Sequence, residues 1–327
     1  MTTAGDILKP QLFKFELNLK KVLWGGDKIA AFKGVTLEEH NVGESWEISG
    51  LKGHESIVSQ GSDKGISLRE LITKYRGQLV GHRVYRKHGN EFPLLIKFID
   101  ARQNLSVQVH PDDDLARRRH GCRGKTEMWY IIDAQPGATL LAGMSHTITP
   151  QQYLEHMSSG TLLDVLARHT THPGDIFFLP SGRIHSIGAG NLLLEVQQAS
   201  DITYRVYDFD RLDSNGKPRE LHTELAIDAI DYTISRDCLR HYTDHTGDTR
   251  LISSIFFDVD RLIVDGALTR RMPHDAFLCL MCIDGEALID CGNGSLTPIA
   301  RGESILAPAC LHYLDIKGHA TIITATV

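Results

Sequence analysis

Gln108, His110, Glu127 and His185 are the residues of this 327-residue chain whose types and spacing suit a metal ion. Extended backbone turns successive side chains to opposite faces. In Asn104-Leu105-Ser106-Val107-Gln108-Val109-His110-Pro111, therefore, Ser106, Gln108 and His110 share one face, and Leu105, Val107 and Val109 pack on the other. Lys125-Thr126-Glu127-Met128-Trp129-Tyr130-Ile131 begins a second strand with Glu127 near its start, and His185 opens a third directly after a turn. Two imidazoles, a carboxylate and an amide oxygen suit a borderline cation such as zinc, about one per chain, with room for water or substrate. The lack of cysteine in the set argues against a closed structural site. Taken singly, Gln108 and His110 could be a hydrogen-bonded pair and His185 a turn cap; the four together favour a metal.

The elements that must carry these residues read as mainly β. Short apolar or alternating runs bounded by Gly, Pro, Asn and Asp recur at Leu12 to Leu17, Ser45 to Ser49, Leu94 to Ile99, Leu105 to Val109, Glu127 to Ile132, Asp175 to Leu179 and Leu192 to Val196, as in an antiparallel sandwich or barrel. Helical pattern is confined to Ser67 to Tyr75, where Ser67 and Glu70 form a capping-box signature, to a stretch opened by Thr149 to Leu154 and Thr161 to Leu166, and to Glu220 to Ile230. The first two belong to helical inserts at about 66–90 and 149–169.

An internal echo divides the chain. Gly174 to His185 has the form G-x5-P-x-G-x-x-H, and Gly302 to His312 repeats G-x5-P with Cys310 in place of the second Gly and the His one residue early. Two such elements suggest a duplicated β module: residues 1–235 carrying the metal, and 236–327 degenerate and metal-free. No His-x-His pair occurs between Pro273 and Asp290, so His312 reads as a structural or surface residue.

Composition narrows the functional classes. Hydrophobic residues at 42% and charged residues at 23% are ordinary for a globular chain, and a net charge of -6 argues against nucleic acid or an anionic membrane as partner. The charged residues within Met1 to Lys21 are unlike a secretory leader, which points to a cytoplasmic enzyme. Six scattered cysteines are not a disulfide framework, and Cys279-x-x-Cys282 reads as buried strand. Gly124-Lys125-Thr126 resembles the end of a P-loop, but Arg119 stands where the first Gly is required. Arg117, Arg118, Arg119, His120 and Arg123 form a basic run read as a solvated face.

The G-x5-P-x-G-x-x-H element resembles the second cupin motif. Gln108-x-His110 with Glu127 resembles the first, with Gln in place of its initial His. With Lys125-Thr126-Glu127-Met128-Trp129-Tyr130, Tyr204-Arg205-Val206-Tyr207-Asp208, Trp24-Gly25-Gly26 and Gly43 to Ser49, the chain resembles the class I mannose-6-phosphate isomerases of the short bacterial type. The resemblance implies two cupin-type jelly-roll units and a zinc-dependent, reversible isomerisation of mannose 6-phosphate and fructose 6-phosphate through a cis-enediol or enediolate. It also implies Lys125 or Glu195 as the proton-transferring base, Glu195 slightly preferred, and Arg205 on the substrate. Ser106, Lys97 and Arg211 become further phosphate contacts, and Trp24 an edge of the pocket. The implied partner is a small sugar phosphate, with the chain a monomer or weak homodimer. A metal-dependent cupin oxygenase and a non-catalytic sugar-binding cupin are the competing readings. Gln108 and the Tyr204-Arg205 segment favour the isomerase over the oxygenase, and a non-catalytic cupin would not need the full combination of metal ligands, Lys125, Glu195 and Arg205.

Overall fold

The computed structural model describes residues 7–327 except 39, 214, 236, 243 and 244. Asp6, part of the N-terminal stretch read above, and Arg236, the first residue of the expected second unit, lie outside the described residues.

The chain opens with β1 (Leu19–Gly26), α1 (Lys28–Lys33) and β2 (Val42–Ser49), then α2 (Leu68–Tyr75), α3 (Gly77–Val80) and α4 (His82–His88). β3 (Leu94–Asp100), β4 (Val107–Val109), α5 (Asp113–His120), β5 (Glu127–Ala134) and β6 (Thr139–Met144) follow, with α6 (Pro150–Ser159), a 3₁₀ turn over Leu162–Val165, and β7 (Leu166–Thr170). Next come β8 (Ile176–Leu179), β9 (His185–Ile187), β10 (Asn191–Gln198), β11 (Tyr204–Tyr207), α7 (Thr223–Ile227) and β12 (Leu239–Arg240). The chain ends in β13 (Gly247–Ser253), β14 (Asp258–Arg271), β15 (Leu278–Asp290), β16 (Leu296–Ala300), β17 (Ser304–Ala307) and β18 (Tyr313–Thr326).

The strands form antiparallel ladders in three sheets: β1-β2-β3-β10-β5-β8-β12, β11-β4-β9-β6-β7, and β13-β14-β18-β15-β16 with β17 paired to β15. The seven-stranded sheet is covered on both faces, so β10 is buried along its whole length rather than alternating. Leu192, Leu194 and Val196 face the third sheet in one core, with Ile96, Phe98, Phe277, Cys279, Met281, Ile323 and Ala325. Leu193 faces the five-stranded sheet in another, with Ile99, Trp129, Leu140 and Ile187. Side-chain alternation thus turns Lys97, Glu127 and Glu195 to the same side as Leu193.

The helical inserts follow their caps. Ser67 accepts from the Glu70 amide while the Glu70 carboxylate accepts from Ser67, and Thr149 and Gln152 repeat the device at α6 with Pro150 in its first turn. Leu68, Leu71, Ile72, Leu79, Val80 and Val84 of α2–α4 enter the core shared with the third sheet. Gln78 and Leu79 carbonyls accept from Cys310 and Ala309, and the Asp275 carboxylate accepts from the His82 and Arg83 amides. The helical insert thereby joins the two units.

Three expectations change. Leu12 to Leu17 is not a strand: Phe13 bridges Leu306 and Phe15 bridges Val58, so the segment is shared between two neighbours and builds no ladder. The second insert ends early, because Leu166–Thr170 pairs with β6. The helix expected over Glu220 to Ile230 shrinks to Thr223–Ile227, since Arg205 pins the residues before it: its Nη1 donates to the Glu220 carbonyl and its backbone amide to His222 Nδ1. The C-x-x-C residues are free thiols in β15, Cys279 in the inter-sheet core and Cys282 in the core of the third sheet. Among the described residues no helix is long and apolar enough to cross a membrane.

Candidate metal centre and active site

Val107 and Val109 are fully buried in a core with Tyr204 and Ile184, which commits Ser106, Gln108 and His110 to the opposite face. Gln108 is the cross-strand partner of His185 in β9, and Glu127 enters from the start of β5 on the facing sheet. His185 is delivered by the turn after Pro180, whose Gly182 (φ 88°) donates its amide to the His110 carbonyl. His110, Glu127 and His185 are all buried, with one ligand atom of each within 4.8 Å of the others.

Each imidazole is oriented from behind. His110 Nδ1 lies 2.9 Å from the Ile202 carbonyl and His185 Nδ1 2.8 Å from that of Arg183, so both donate there and present an unprotonated Nε2 to the cluster. His110 Nε2 stands 3.5 Å from Glu127 Oε2 and His185 Nε2 3.1 Å from Oε1. Lone pairs therefore face lone pairs. His110 Nε2 and both Glu127 oxygens are buried without an aligned hydrogen-bond donor. Such a set is stabilised by a cation at its centre, and imidazole nitrogen with carboxylate oxygen suits zinc or a similar divalent ion. Gln108 sits beside it with Nε2 3.3 Å from His185 Nε2; rotating the amide by a half turn would present its oxygen as a further ligand.

Burial pushes His110 well below its ordinary pKa, helped by the Lys125 charge, which keeps the ring neutral. Burial alone would raise Glu127, but the Lys125 charge, the largest opposing influence, holds it well below the usual carboxylate range. Lys125 Nζ lies 3.1 Å from Glu127 Oε2, as their shared strand face requires. Burial opposes its charge, yet Glu127 and Glu195 raise its pKa above the ordinary lysine value.

Gln108 and Lys125, which contact His185 and Glu127 of the cluster, line a cavity of about 430 Å³. Trp24, Lys97, Ser106, Gln108, Lys125, Glu195 and Arg205 all line it. Arg211 does not: it donates to the Asn104 carbonyl and the Asp208 carboxylate behind the wall. Glu195 Oε1 accepts from Trp129 Nε1 at 2.9 Å, while Oε2 is buried without a hydrogen-bond partner, 3.5 Å from Lys97 Nζ. Burial, then the charge of Glu127, raises the Glu195 pKa against the pull of Lys125 and Lys97. A larger cavity of about 700 Å³ lies between the first and third sheets, lined by Tyr130, Tyr242 and Arg301 among others. Its lining includes neither Gln108 nor Lys125, the two cluster neighbours that line the smaller cavity, so the smaller one is the candidate site.

Sequence reasoning missed Glu44, Asp201 and Arg219, which also line the cavity. Glu44 had a signal, since it alternates with Trp46 in β2, accepts its Nε1 proton and lies 3.9 Å from Lys97. Arg219 sits in a loop without period. The basic run is ion-paired: Arg117 to Asp114, Arg119 to Asp228 and Arg123 to Glu91. His312 is exposed.

Two antiparallel β units, one with an inward His/Glu/His cluster beside a cavity lined by Gln108 and Lys125, define a double cupin-type enzyme. Residues 12–156 match the model of the phosphomannose isomerase type I catalytic domain, and residues 248–327 that of the mannose-6-phosphate isomerase cupin domain. The chain is 36% identical over 99% of its length to mannose-6-phosphate isomerase ManA of Bacillus subtilis, 99% of which is covered. It is 34% identical over 94% of its length to the mannose-6-phosphate isomerase of Streptococcus mutans, with 95% of that protein covered. The crystal structure of a Bacillus subtilis mannose 6-phosphate isomerase superimposes with a TM-score of 0.85 at 31% identity, covering 98% of this chain and all of that one. The chain belongs to the type I phosphomannose isomerase family, whose members are aldose–ketose isomerases.

Proposed function

We propose that this chain interconverts mannose 6-phosphate and fructose 6-phosphate, with a divalent metal, zinc by preference, in the His110–Glu127–His185 cluster. The observation that carries the reading is the set of buried ligand atoms on His110 and Glu127 that lack an aligned hydrogen-bond donor, beside a cavity lined by Lys97, Lys125, Glu195 and Arg205. Zinc held by those three side chains and the Gln108 amide oxygen would supply Lewis-acid polarisation of the substrate carbonyl.

The remaining work falls to the chain. Glu195 is the base: its Oε2, which accepts no hydrogen bond and lies 3.5 Å from Lys97 Nζ, removes the C2 proton of open-chain mannose 6-phosphate, leaving a cis-enediolate, and returns that proton to C1. The hydroxyl proton passes from O2 to O1, so the step is balanced without a co-reactant. Trp129 fixes the Glu195 carboxylate through Oε1, and Lys97 holds its other side. Lys125, occupied by Glu127, supplies positive charge near the developing oxyanion rather than basicity. Arg205, opposite Gln108 across the β4–β11 ladder, binds the sugar, with Ser106 and Trp24 on the neighbouring walls. Arg211 serves from behind. The same reading treats 236–327 as a second, metal-free cupin unit that covers the seven-stranded sheet.

A coupled assay with mannose 6-phosphate, run with chelator and then with zinc restored, tests this. Activity should vanish with chelator and return with zinc; a fully metallated chain without turnover would sink the proposal. Glu195→Gln should lower kcat by about 10²- to 10⁴-fold, the usual worth of a general base.

A further inference from the structure

Asp208, just past β11, is buried and gathers two arginines. Arg219 donates Nε at 2.7 Å and Nη2 at 2.5 Å, and Arg211 donates Nη2 at 3.0 Å. Arg205, on β11 itself, is adjacent: its Nη1 reaches the Glu220 carbonyl and its Nε is buried without a partner. Arg211 likewise has Nε and Nη1 buried without partners. Three guanidinium groups therefore share one buried carboxylate. Nearby acids do not balance them. Glu220 is exposed: its carbonyl accepts from Arg205, and its carboxylate offsets the crowding there less than Arg219 adds to it; Asp201 is exposed, with its field felt by Lys125. Burial, then the charge of Arg219, holds Arg205 below its ordinary pKa, as crowding of like charges requires.

Arg205 and Arg219 line the catalytic cavity while Arg211 lies behind them. The bidentate grip of Asp208 uses one edge of Arg219 and leaves Nη1 on the other edge unbound among the described residues. A paired guanidinium wall with excess positive charge matches a phosphate dianion in both charge and fork geometry. Glu44 and Glu195 stand elsewhere on the cavity wall, flanking Lys97, and would repel the same group.

We propose that Arg219, held in position by Asp208, anchors the phosphate of the substrate, placing the reacting carbons toward Gln108, Lys125 and Glu195. Arg219 is thus a binding residue and Asp208 a positioning residue. The proposal rests on the sugar-phosphate reading above and gives that substrate its orientation in the cavity.

Calorimetric titration of inorganic phosphate into the zinc-loaded full chain tests it without turnover. Arg219→Gln should raise the phosphate Kd by about 10- to 100-fold, the worth of charge-assisted hydrogen bonds. The KM for mannose 6-phosphate should rise by a similar factor, while kcat stays within about threefold. Arg219→Lys keeps the charge and loses the fork, so its Kd should fall between wild type and Arg219→Gln. Should Arg219→Gln fail to fold, Arg219→Lys becomes the deciding variant, and an unchanged Kd there overturns the anchor. Asp208→Asn should give a smaller rise in both Kd and KM; no rise overturns the positioning role. A wild type that binds phosphate through Arg219 but isomerises no sugar phosphate would remove the isomerase reading and leave the anchor. Wild-type KM and phosphate Kd in Arg219→Gln would do the reverse.

Discussion

The same strand–turn–strand device occurs twice in this molecule with opposite outcomes. In both copies a glycine at positive φ, Gly174 or Gly302, leads into a short buried strand, β8 or β17, and a Pro-led turn presents a histidine to the next strand. In the first copy the turn amides reach the segments that carry the other cluster residues: Gly182 donates to the His110 carbonyl and Ser181 to Thr126 Oγ1. His185 is then driven inward beside Glu127. In the second copy Ala309 and Cys310 donate to Leu79 and Gln78 of the helical insert, and His312 is left exposed. A shared local motif thus fixes a turn, but the acceptors of its amides decide whether its histidine turns into the buried cluster or out to the surface.

The largest effect should come from exchanging the fate of the two histidines. His185→Ala should reduce bound metal from about one equivalent to near none and activity by about a thousandfold, several kcal/mol of transition-state stabilisation. His312→Ala should change neither. Elemental analysis beside the coupled assay reads both, and metal retained in His185→Ala would break the distinction.

Next in size is the packing contribution of the second copy. Phe277 is fully buried against Phe92, ring centroids 4.5 Å apart, in the core between the first and third sheets. Phe277→Ala should cost about 3–5 kcal/mol in urea unfolding. A loss under about 1 kcal/mol would show that the third sheet merely leans on the first.

The smallest effect concerns the insert that joins them. Burial, then the charges of Arg123, Lys87 and Arg83, pushes His88 down to about 4. Unfolded, it titrates near about 6.5, so the unfolded chain takes up that proton first. Its contribution to stability is therefore complete above about pH 6.5 and is lost as pH falls toward about 4. His88→Asn should flatten the stability profile across that window; identical slopes for variant and wild type would remove the effect.

Much of the site was legible because alternation is strict where one face is packed. Val107 and Val109, packed on the opposite face, sort Ser106, Gln108 and His110, and Leu194, Val196 and Met128 do the same for Glu195 and Glu127. The capping boxes at Ser67 and Thr149 were readable for the same local reason. The second insert's reach to residue 169 misled because β6 claims the chain from Leu166, and Glu220 to Ile230 because Arg205 holds its first turn extended. Arg219 was invisible: nothing in a loop's composition reports that it will meet Arg205 and Arg211 around Asp208. That meeting is purely tertiary.

Asp275 caps the amides of His82 and Arg83 across a separation of 193 and 192 residues, with its own backbone at φ 50°. During synthesis the insert must therefore leave the ribosome with its last helix uncapped and the apolar face of the seven-stranded sheet bare. Both remain so until most of the chain has emerged. The first unit waits on the second, making their folding a joint event, with the intervening interval the period of greatest exposure to aggregation.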